Sequence, residues 1–170
     1  MIDPEVEIPV PERFRSADYR AVVADAPAAA RVVLPAAARE TMKELACAGY
    51  PEEVCGLLIG TLDDDGWLVE EARAVANRNR ERAGDRFELD PDAYRRIDRG
   101  LRGSGKEIIG VFHSHPDCPA RPSPTDLAAA WEGFLYPIVS VCGGCFAELR
   151  CWSLDGACGR FRRVERVQCR

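Results

Sequence analysis

The stretch EIIGVFHSHP, residues 107–116, places an apolar run directly before the two histidines of this 170-residue chain, His113 and His115. The apolar run predicts a buried strand. Side chains two positions apart on a strand point to the same face of the sheet, so we expect both imidazoles to converge on one point. The stretch therefore predicts a central strand of the fold and a common site at its end.

A carboxylate follows the histidine pair a short distance along the chain. Asp126 ends the sequence SPTD at residues 123–126. Two imidazoles and one carboxylate are a known ligand set for a zinc ion that keeps one coordination position open for water. Zinc in such a site makes hydroxide available near neutral pH, so the pattern indicates a hydrolase.

A zinc peptidase also needs a general base and a hydrogen-bond donor for the oxyanion. Glu52 and Glu53 come directly before the apolar stretch VCGLLIG at residues 54–60, which predicts a second buried strand. Burial at a strand end raises the pKa of a carboxyl group, so either glutamate suits the base, and spacing alone does not choose between them. Ser123 could offer its hydroxyl to the oxyanion.

Composition excludes some classes of function. The chain is 46% hydrophobic and 30% charged, as in an ordinary globular domain. A net charge of −5 gives no electrostatic support for nucleic-acid binding. No apolar run approaches the roughly 18 residues of a membrane span. The acidic N-terminus lacks the regions of a signal peptide, so we expect a cytoplasmic protein that binds neither nucleic acid nor membrane.

The order of predicted elements indicates an α/β fold with a mixed sheet, because helices alternate irregularly with hairpins. Strands are predicted at residues 32–34, 54–60, 67–76, 107–115, 136–141, 146–154 and 159–167. Helices are predicted at residues 35–48, 91–101 and 124–133. Asp90 and Ser123 are predicted N-caps, since each precedes a proline at the first helical position.

The first part of the chain differs from the rest. Residues 1–30 contain four prolines and are assigned as an N-terminal extension, and the compact domain is expected over residues 31–170. Val6, Ile8 and Val10 alternate with other residues and predict a short edge strand. A flexible arm is the other interpretation.

Taken together, three segments resemble the JAMM motif of the MPN-domain (JAB1/MPN/Mov34) metalloproteases: EVCG from Glu53, HSHP from His113, and SPTD ending at Asp126. The resemblance covers roughly residues 32–167 and is closest to short prokaryotic members. It implies a layered α-β-α architecture like that of cytidine deaminases. It also implies that His113, His115 and Asp126 bind zinc, and that Ser123 supports the oxyanion. Finally, it selects Glu53 over Glu52 as the general acid and base.

The same resemblance implies a substrate class. Family members cleave peptide or isopeptide bonds after the diglycine tail of ubiquitin-like proteins, and some short bacterial members process sulfur-carrier proteins. We therefore expect a partner protein with a C-terminal Gly-Gly tail, and a homodimer is also compatible with the sequence. Cys118 departs from many short relatives, which often carry histidine there, and its role stays open.

Two other zinc or metal folds fit the sequence less well. A zinc deaminase needs His-x-Glu followed by Pro-Cys-x-x-Cys, but His115 stands where the glutamate would be. A cupin needs a further histidine, which this chain lacks. A non-catalytic MPN scaffold or binding module typically loses the metal ligands, whereas all of them are present here. These comparisons favour a zinc-dependent peptidase or isopeptidase.

The chain contains eight cysteines, which are expected to be mostly reduced and buried because no export signal supports disulfides. The segment CGGC at residues 142–145 has three interpretations. It could form half of a second zinc site with Cys151 and Cys158, it could be a redox pair, or it could flank a Gly-Gly hairpin turn. The hairpin explains both glycines directly.

Overall fold

The computed structural model describes residues 6–167 and shows a mixed α/β fold. Within that range the strands are β1 (Arg31–Val33), β2 (Cys55–Asp63), β3 (Gly66–Val75), β4 (Glu107–Pro116), β5 (Leu135–Cys142), β6 (Cys145–Asp155) and β7 (Arg160–Val167). The α-helices are α1 (Ala17–Ala21), α2 (Ala36–Gly49), α3 (Pro91–Leu101) and α4 (Pro124–Ala129), and a 3-10 helix spans Glu12–Arg15. Among the described residues, no helix is both long and apolar enough to cross a membrane.

The strands form one closed sheet in the order β1-β3-β2-β4-β5-β6-β7. Neighbours β4 and β5 run parallel, and β1 runs parallel to both β3 and β7, while the remaining pairs are antiparallel. The predicted α/β class with a mixed sheet is confirmed. Sequence patterns did not predict the closure, because it depends on the three-residue strand β1 pairing on both of its sides.

Buried apolar side chains form two clusters, one on each face of the sheet. Met42 of α2 belongs to the first cluster with Leu58 of β2, and Ala93 of α3 belongs to the second with Leu57. Adjacent residues of β2 fall into different clusters because successive side chains of a strand point to opposite faces. Full burial of a side chain such as Met42 stabilises the fold by about 1.5–3 kcal/mol.

Strand β4 is the central element that carries the histidines. It pairs with β2 on one side and with β5 on the other, and every residue between its ends is buried. Gly110 lies opposite Leu135, and a Cβ atom at Gly110 would lie 2.2 Å from the carbonyl oxygen of Leu135. Glycine at this position therefore allows β5 to approach closely enough to pair with β4.

The first part of the chain packs on the domain. Phe14 and Val22 are buried. The carbonyl oxygen of Val22 accepts a hydrogen bond from the amide of Phe161 at 2.8 Å, and the amide of Ala24 donates to the carbonyl oxygen of Phe161 at 2.8 Å. Val22 joins the second apolar cluster, so this part of the predicted extension contributes to the core.

Two predicted elements need correction. The predicted edge strand around Val6, Ile8 and Val10 is wrong, because residues 6–10 have no regular secondary structure. The helix predicted to reach residue 133 ends instead at Ala129. Ala130 is extended with a ψ of 147°, and the amide of Trp131 donates to the hydroxyl of Tyr136 at 2.6 Å. A continued helix would bond the Trp131 amide to the carbonyl oxygen of Leu127, so its contact with Tyr136, five residues further on, marks the end of the helix.

Candidate metal centre

The two histidines of β4 point to one site. Their Nε2 atoms lie 3.1 Å apart, and both imidazoles are buried. The carboxylate of Asp126 completes the group, with Oδ1 at 3.2 Å from Nε2 of His113 and Oδ2 at 3.5 Å from Nε2 of His115. Ligand atoms of all three residues lie within 4.8 Å of one another, so the group could hold a metal ion. Among the described residues this is the one such group of three or more His, Cys, Asp or Glu side chains.

The other ring nitrogen of His115 determines which atom faces the site. Nδ1 of His115 lies 2.9 Å from the carbonyl oxygen of Pro119, which can only accept a hydrogen bond. Nδ1 must therefore carry the proton, and in the neutral imidazole Nε2 keeps a lone pair. Such an outer hydrogen bond is typical of histidines that bind metals through Nε2. The donor set thus fits a zinc ion.

His113 is oriented differently, by packing. Its ring stacks on Phe87, with ring centroids 4.6 Å apart and an interplanar angle of 28°. Its Nδ1 atom is buried and has no hydrogen-bond partner within residues 6–167. Stacking restricts the ring plane of His113, so the residue presents Nε2 to the site without an outer hydrogen bond from the described chain.

A capping box at the start of α4 positions Asp126. The side-chain oxygen of Ser123 accepts from the amide of Asp126 at 3.2 Å. In return, Oδ2 of Asp126 accepts from the amide of Ser123 at 2.7 Å and from its hydroxyl at 2.8 Å. This reciprocal pattern is a standard helix start. It leaves Oδ1 of Asp126 directed at His113, and it uses the Ser123 hydroxyl proton to hold the carboxylate.

Replacing Ser123 should weaken this helix start. We expect Ser123→Ala to lower the free energy of unfolding by about 1 kcal/mol, because it removes the N-cap acceptor and one donor to Asp126. Urea unfolding followed by circular dichroism measures the change. Thr125→Ala is a matched control, since Thr125 is exposed in the same helical turn and should change stability by no more than about 0.5 kcal/mol. Equal effects of the two substitutions would contradict a capping role for Ser123.

Pairing between β2 and β4 brings Glu53 to the site. Cys55, the first residue of β2, lies opposite His113, and the amide of Ser114 donates to the carbonyl oxygen of Val54 at 3.0 Å, so Glu53 comes directly before the residues that pair with the histidine end of β4. The hydroxyl of Ser114 accepts a hydrogen bond from the amide of Val54 at 2.9 Å, and this bond attaches the residues just before β2 to β4. Glu53 is buried with 7% of its surface exposed, whereas Glu52 is exposed.

The pKa values of the two carboxyl groups of the site are shifted in opposite directions. Burial raises the pKa of Glu53, and the nearby charges of His113 and His115 only partly offset this increase. Burial also acts to raise the pKa of Asp126, but there the charges and hydrogen bonds of the two histidines prevail and hold it well below its usual range. At neutral pH the arrangement combines an anionic Asp126 with a Glu53 suited to taking up and returning a proton.

Two cavities meet at this site. The larger, of about 510 Å³, is lined mainly by apolar and aromatic side chains and includes His113 in its lining. The smaller, of about 210 Å³, contains His115 and is more polar. Glu53, Ser123 and Thr125 are among the residues that line both, so Glu53 and the group of His113, His115 and Asp126 lie where the two cavities meet. A chain passing from one cavity to the other would cross them.

The cysteines form no second site among the described residues. Cys142 and Cys145 lie opposite each other across the β5–β6 turn, and Gly143 and Gly144 have φ values of 58° and 85°. These positive angles match a two-residue hairpin turn and account for both glycines. The described cysteines carry free thiols, and none joins a group with metal-binding geometry. Cys169 lies outside the described residues.

Sequence reasoning missed several residues around the site. Phe87 stacks on His113 from a loop without a motif. Arg13 donates from Nη2 to Sγ of Cys118 at 3.1 Å, and the carbonyl of Pro119 orients His115. The pairing of Arg13 with Cys118 joins residues 105 positions apart, so no local signal in the sequence could have predicted it.

Comparison with known proteins establishes the family. Residues 35–155 match the family described as prokaryotic homologs of the JAB domain, and the chain belongs to that family. A desampylase of Haloferax volcanii is 37% identical over 116 residues, covering 65% of this chain and 81% of the relative. A CysO-cysteine peptidase of Mycobacterium tuberculosis is 30% identical over 110 residues, covering 64% and 73%.

Solved structures show the same fold. A solution structure of a Desulfitobacterium hafniense protein matches with a TM-score of 0.68 at 28% identity, covering 80% of this chain and 91% of the other. A Salinibacter ruber protein, also solved in solution, matches with a TM-score of 0.60 at 39% identity, covering 81% and 92%. The relatives named as a desampylase and a peptidase indicate hydrolytic chemistry for the family.

Proposed function

We propose that this protein is a zinc-dependent peptidase that cleaves after the diglycine tail of a ubiquitin-like or sulfur-carrier protein. One observation carries the proposal: Nε2 of His113, Nε2 of His115 and the carboxylate of Asp126 converge beside the buried Glu53, where two cavities meet. The name of the CysO-cysteine peptidase relative supports a protein-derived substrate.

The residues of the site have separate roles in the proposed hydrolysis. Zinc, when bound by His113, His115 and Asp126, supplies Lewis-acid chemistry and makes water a nucleophile near neutral pH. The Glu53 carboxylate accepts the proton of the attacking water. It then returns that proton to the leaving nitrogen as the carbon–nitrogen bond breaks. The raised pKa of buried Glu53 suits both steps.

Ser123 is proposed to support the oxyanion. Its hydroxyl donates to Asp126 in the present structure, so it must rotate to donate to a substrate oxygen instead. The amide of Ser123 continues to hold Oδ2 of Asp126 at 2.7 Å during such a rotation. Asp126 would therefore keep its orientation while the hydroxyl changes partner.

The geometry of the cleft supports a glycine tail. Glu53, His113 and His115 are all buried, so a substrate backbone must approach closely to reach them. Glycine residues carry no side chain and allow that approach in an extended conformation. The 510 Å³ cavity, which His113 lines together with apolar side chains, is large enough for further residues of the tail.

A non-catalytic scaffold is the second candidate. Scaffold function needs neither a convergent donor set nor a buried acid–base group. Both are present here, since the ligand atoms lie within 4.8 Å of one another and Glu53 is 7% exposed. These two features favour the enzyme.

The test uses a diglycine-tailed sulfur-carrier protein with a C-terminal extension, incubated with the zinc-loaded protein and followed by mass spectrometry. We expect cleavage directly after the last glycine. Replacing that glycine with leucine should lower kcat/KM by about 10²-fold, because a side chain displaces the scissile bond from Glu53 and the metal ligands. Equal cleavage of both substrates would indicate a general peptidase, and no cleavage of either would favour the scaffold.

A further inference from the structure

The smaller cavity is lined by several charged side chains. At about 210 Å³ it is below the roughly 300–1,000 Å³ of pockets that hold drug-sized ligands, and it suits a single amino acid. Three arginines line it, Arg13, Arg82 and Arg86, together with the acidic residues Asp85 and Glu53. A small, cation-rich cavity beside the hydrolytic groups is suited to a small anionic group.

Two of the three arginines carry uncompensated charge. The guanidinium of Arg82 is paired with the carboxylate of Asp85, with Nε at 3.1 Å from Oδ1. Arg13 and Arg86 form no ion pair with any residue between positions 6 and 167. Glu53 is the remaining acidic group, so Arg13 and Arg86 outnumber it among the charged side chains that line the cavity without an ion pair in the described chain. The cavity therefore favours an anion over a neutral ligand.

Arg13 is held in place but keeps most of its donors. Buried Phe14 anchors the 3-10 helix that carries it, and the ring of Phe14 packs against Tyr19 with centroids 4.8 Å apart. Backbone hydrogen bonds between Val22 and Phe161 attach the following segment to β7. The guanidinium donates only to Sγ of Cys118 within the described chain, and a thiol is a weak acceptor.

We propose that the smaller cavity binds the leaving group as a single amino acid with a free α-carboxylate, and that Arg13 recognises this carboxylate. The inference rests on the proposed function and specifies its substrate: a peptide bond joining the diglycine tail to one C-terminal amino acid, not an isopeptide bond to a folded protein. A guanidinium binds a carboxylate through paired, charge-assisted hydrogen bonds. Arg13 lies outside the family match at residues 35–155, so the N-terminal segment supplies this specificity.

The test compares two sulfur-carrier substrates that differ at one group. Both end in the diglycine tail followed by one alanine, in one case with a free carboxylate and in the other with a C-terminal amide. We expect wild-type protein to cleave the free acid about 10-fold more efficiently than the amide, mainly through a lower KM. Arg13→Gln should reduce this ratio to about 1, because the free carboxylate then gains no charge-assisted contact over the amide. Arg13→Lys should keep part of the preference.

Arg15→Gln is the matched control, because Arg15 is an exposed arginine of the same 3-10 helix that pairs with Glu12 and does not line the cavity. It should keep the full preference for the free acid. A preference that persists in Arg13→Gln, or no preference in the wild type, would overturn the assignment while leaving the proposed function intact. No cleavage of either substrate by zinc-loaded wild type would overturn the proposed function as well.

Discussion

His113→Ala and Asp126→Ala should each abolish both zinc binding and peptide cleavage. Wild-type protein is expected to hold about one zinc ion per chain, because the donor set of His113, His115 and Asp126 provides three ligands and leaves one position open. Removing one ligand should lower zinc affinity by more than the roughly 10- to 100-fold loss that follows removal of a hydrogen-bond partner of a ligand. Elemental analysis of protein purified with added zinc measures the metal, and the diglycine substrate measures activity.

Each substitution needs a check that the fold survives. His113 is buried against Phe87, so its replacement leaves space in the core, and the Asp126 side chain is also largely buried, with 11% of its surface exposed. Asp126→Asn is the conservative variant, because it keeps the volume of the side chain and removes the charge. A variant that retains its circular dichroism spectrum and loses zinc supports the assignment. Full activity in zinc-free protein would contradict it.

Glu53→Gln should separate metal binding from turnover. The amide keeps the size of the side chain but cannot take up a proton, so we expect zinc content to stay the same and kcat to fall by about 10²-fold or more. Glu52→Gln is the matched control, since Glu52 is the adjacent residue, exposed to solvent. The reverse order of effects would show that the base is Glu52.

The stability of the fold provides a second measurement on the variants Glu53→Gln and Glu52→Gln. Burial raises the pKa of Glu53 in the folded protein, so its ionised form destabilises the fold relative to the unfolded chain. The stability penalty is absent at pH values below the unfolded pKa and grows as pH rises toward the folded pKa. Glu53→Gln should therefore gain stability relative to wild type at neutral pH in metal-free protein, as measured by thermal unfolding. Glu52→Gln should not.

Local sequence patterns were sufficient for most of the secondary structure. The predicted α3 at residues 91–101 matches Pro91–Leu101, including its N-cap at Asp90. The strand predicted at residues 107–115 is β4, whose alternation places His113 and His115 on the same face. These features depend on spacing within a few residues, and a sequence displays such spacing directly.

Local patterns failed where a contact outside the predicted element determined the outcome. The helix predicted to extend to residue 133 ends at Ala129, where Trp131 bonds to Tyr136. The alternation of Val6, Ile8 and Val10 predicted a strand, but residues 6–10 pair with no strand. A strand needs an available partner edge as well as a suitable pattern, and the sequence does not show that edge.

The sequence by itself determined the types of the site residues, their order along the chain and the class of chemistry that they could perform. The residues alone did not choose between Glu52 and Glu53, and only the resemblance to a known motif favoured one. In the structure, the antiparallel pairing of β2 with β4 brings Glu53 to the histidine end of β4, where it is buried, and leaves Glu52 exposed. Only the tertiary structure could bring Arg13 to Cys118, since neither local spacing nor propensity relates residues that meet through packing of the N-terminal segment on the domain.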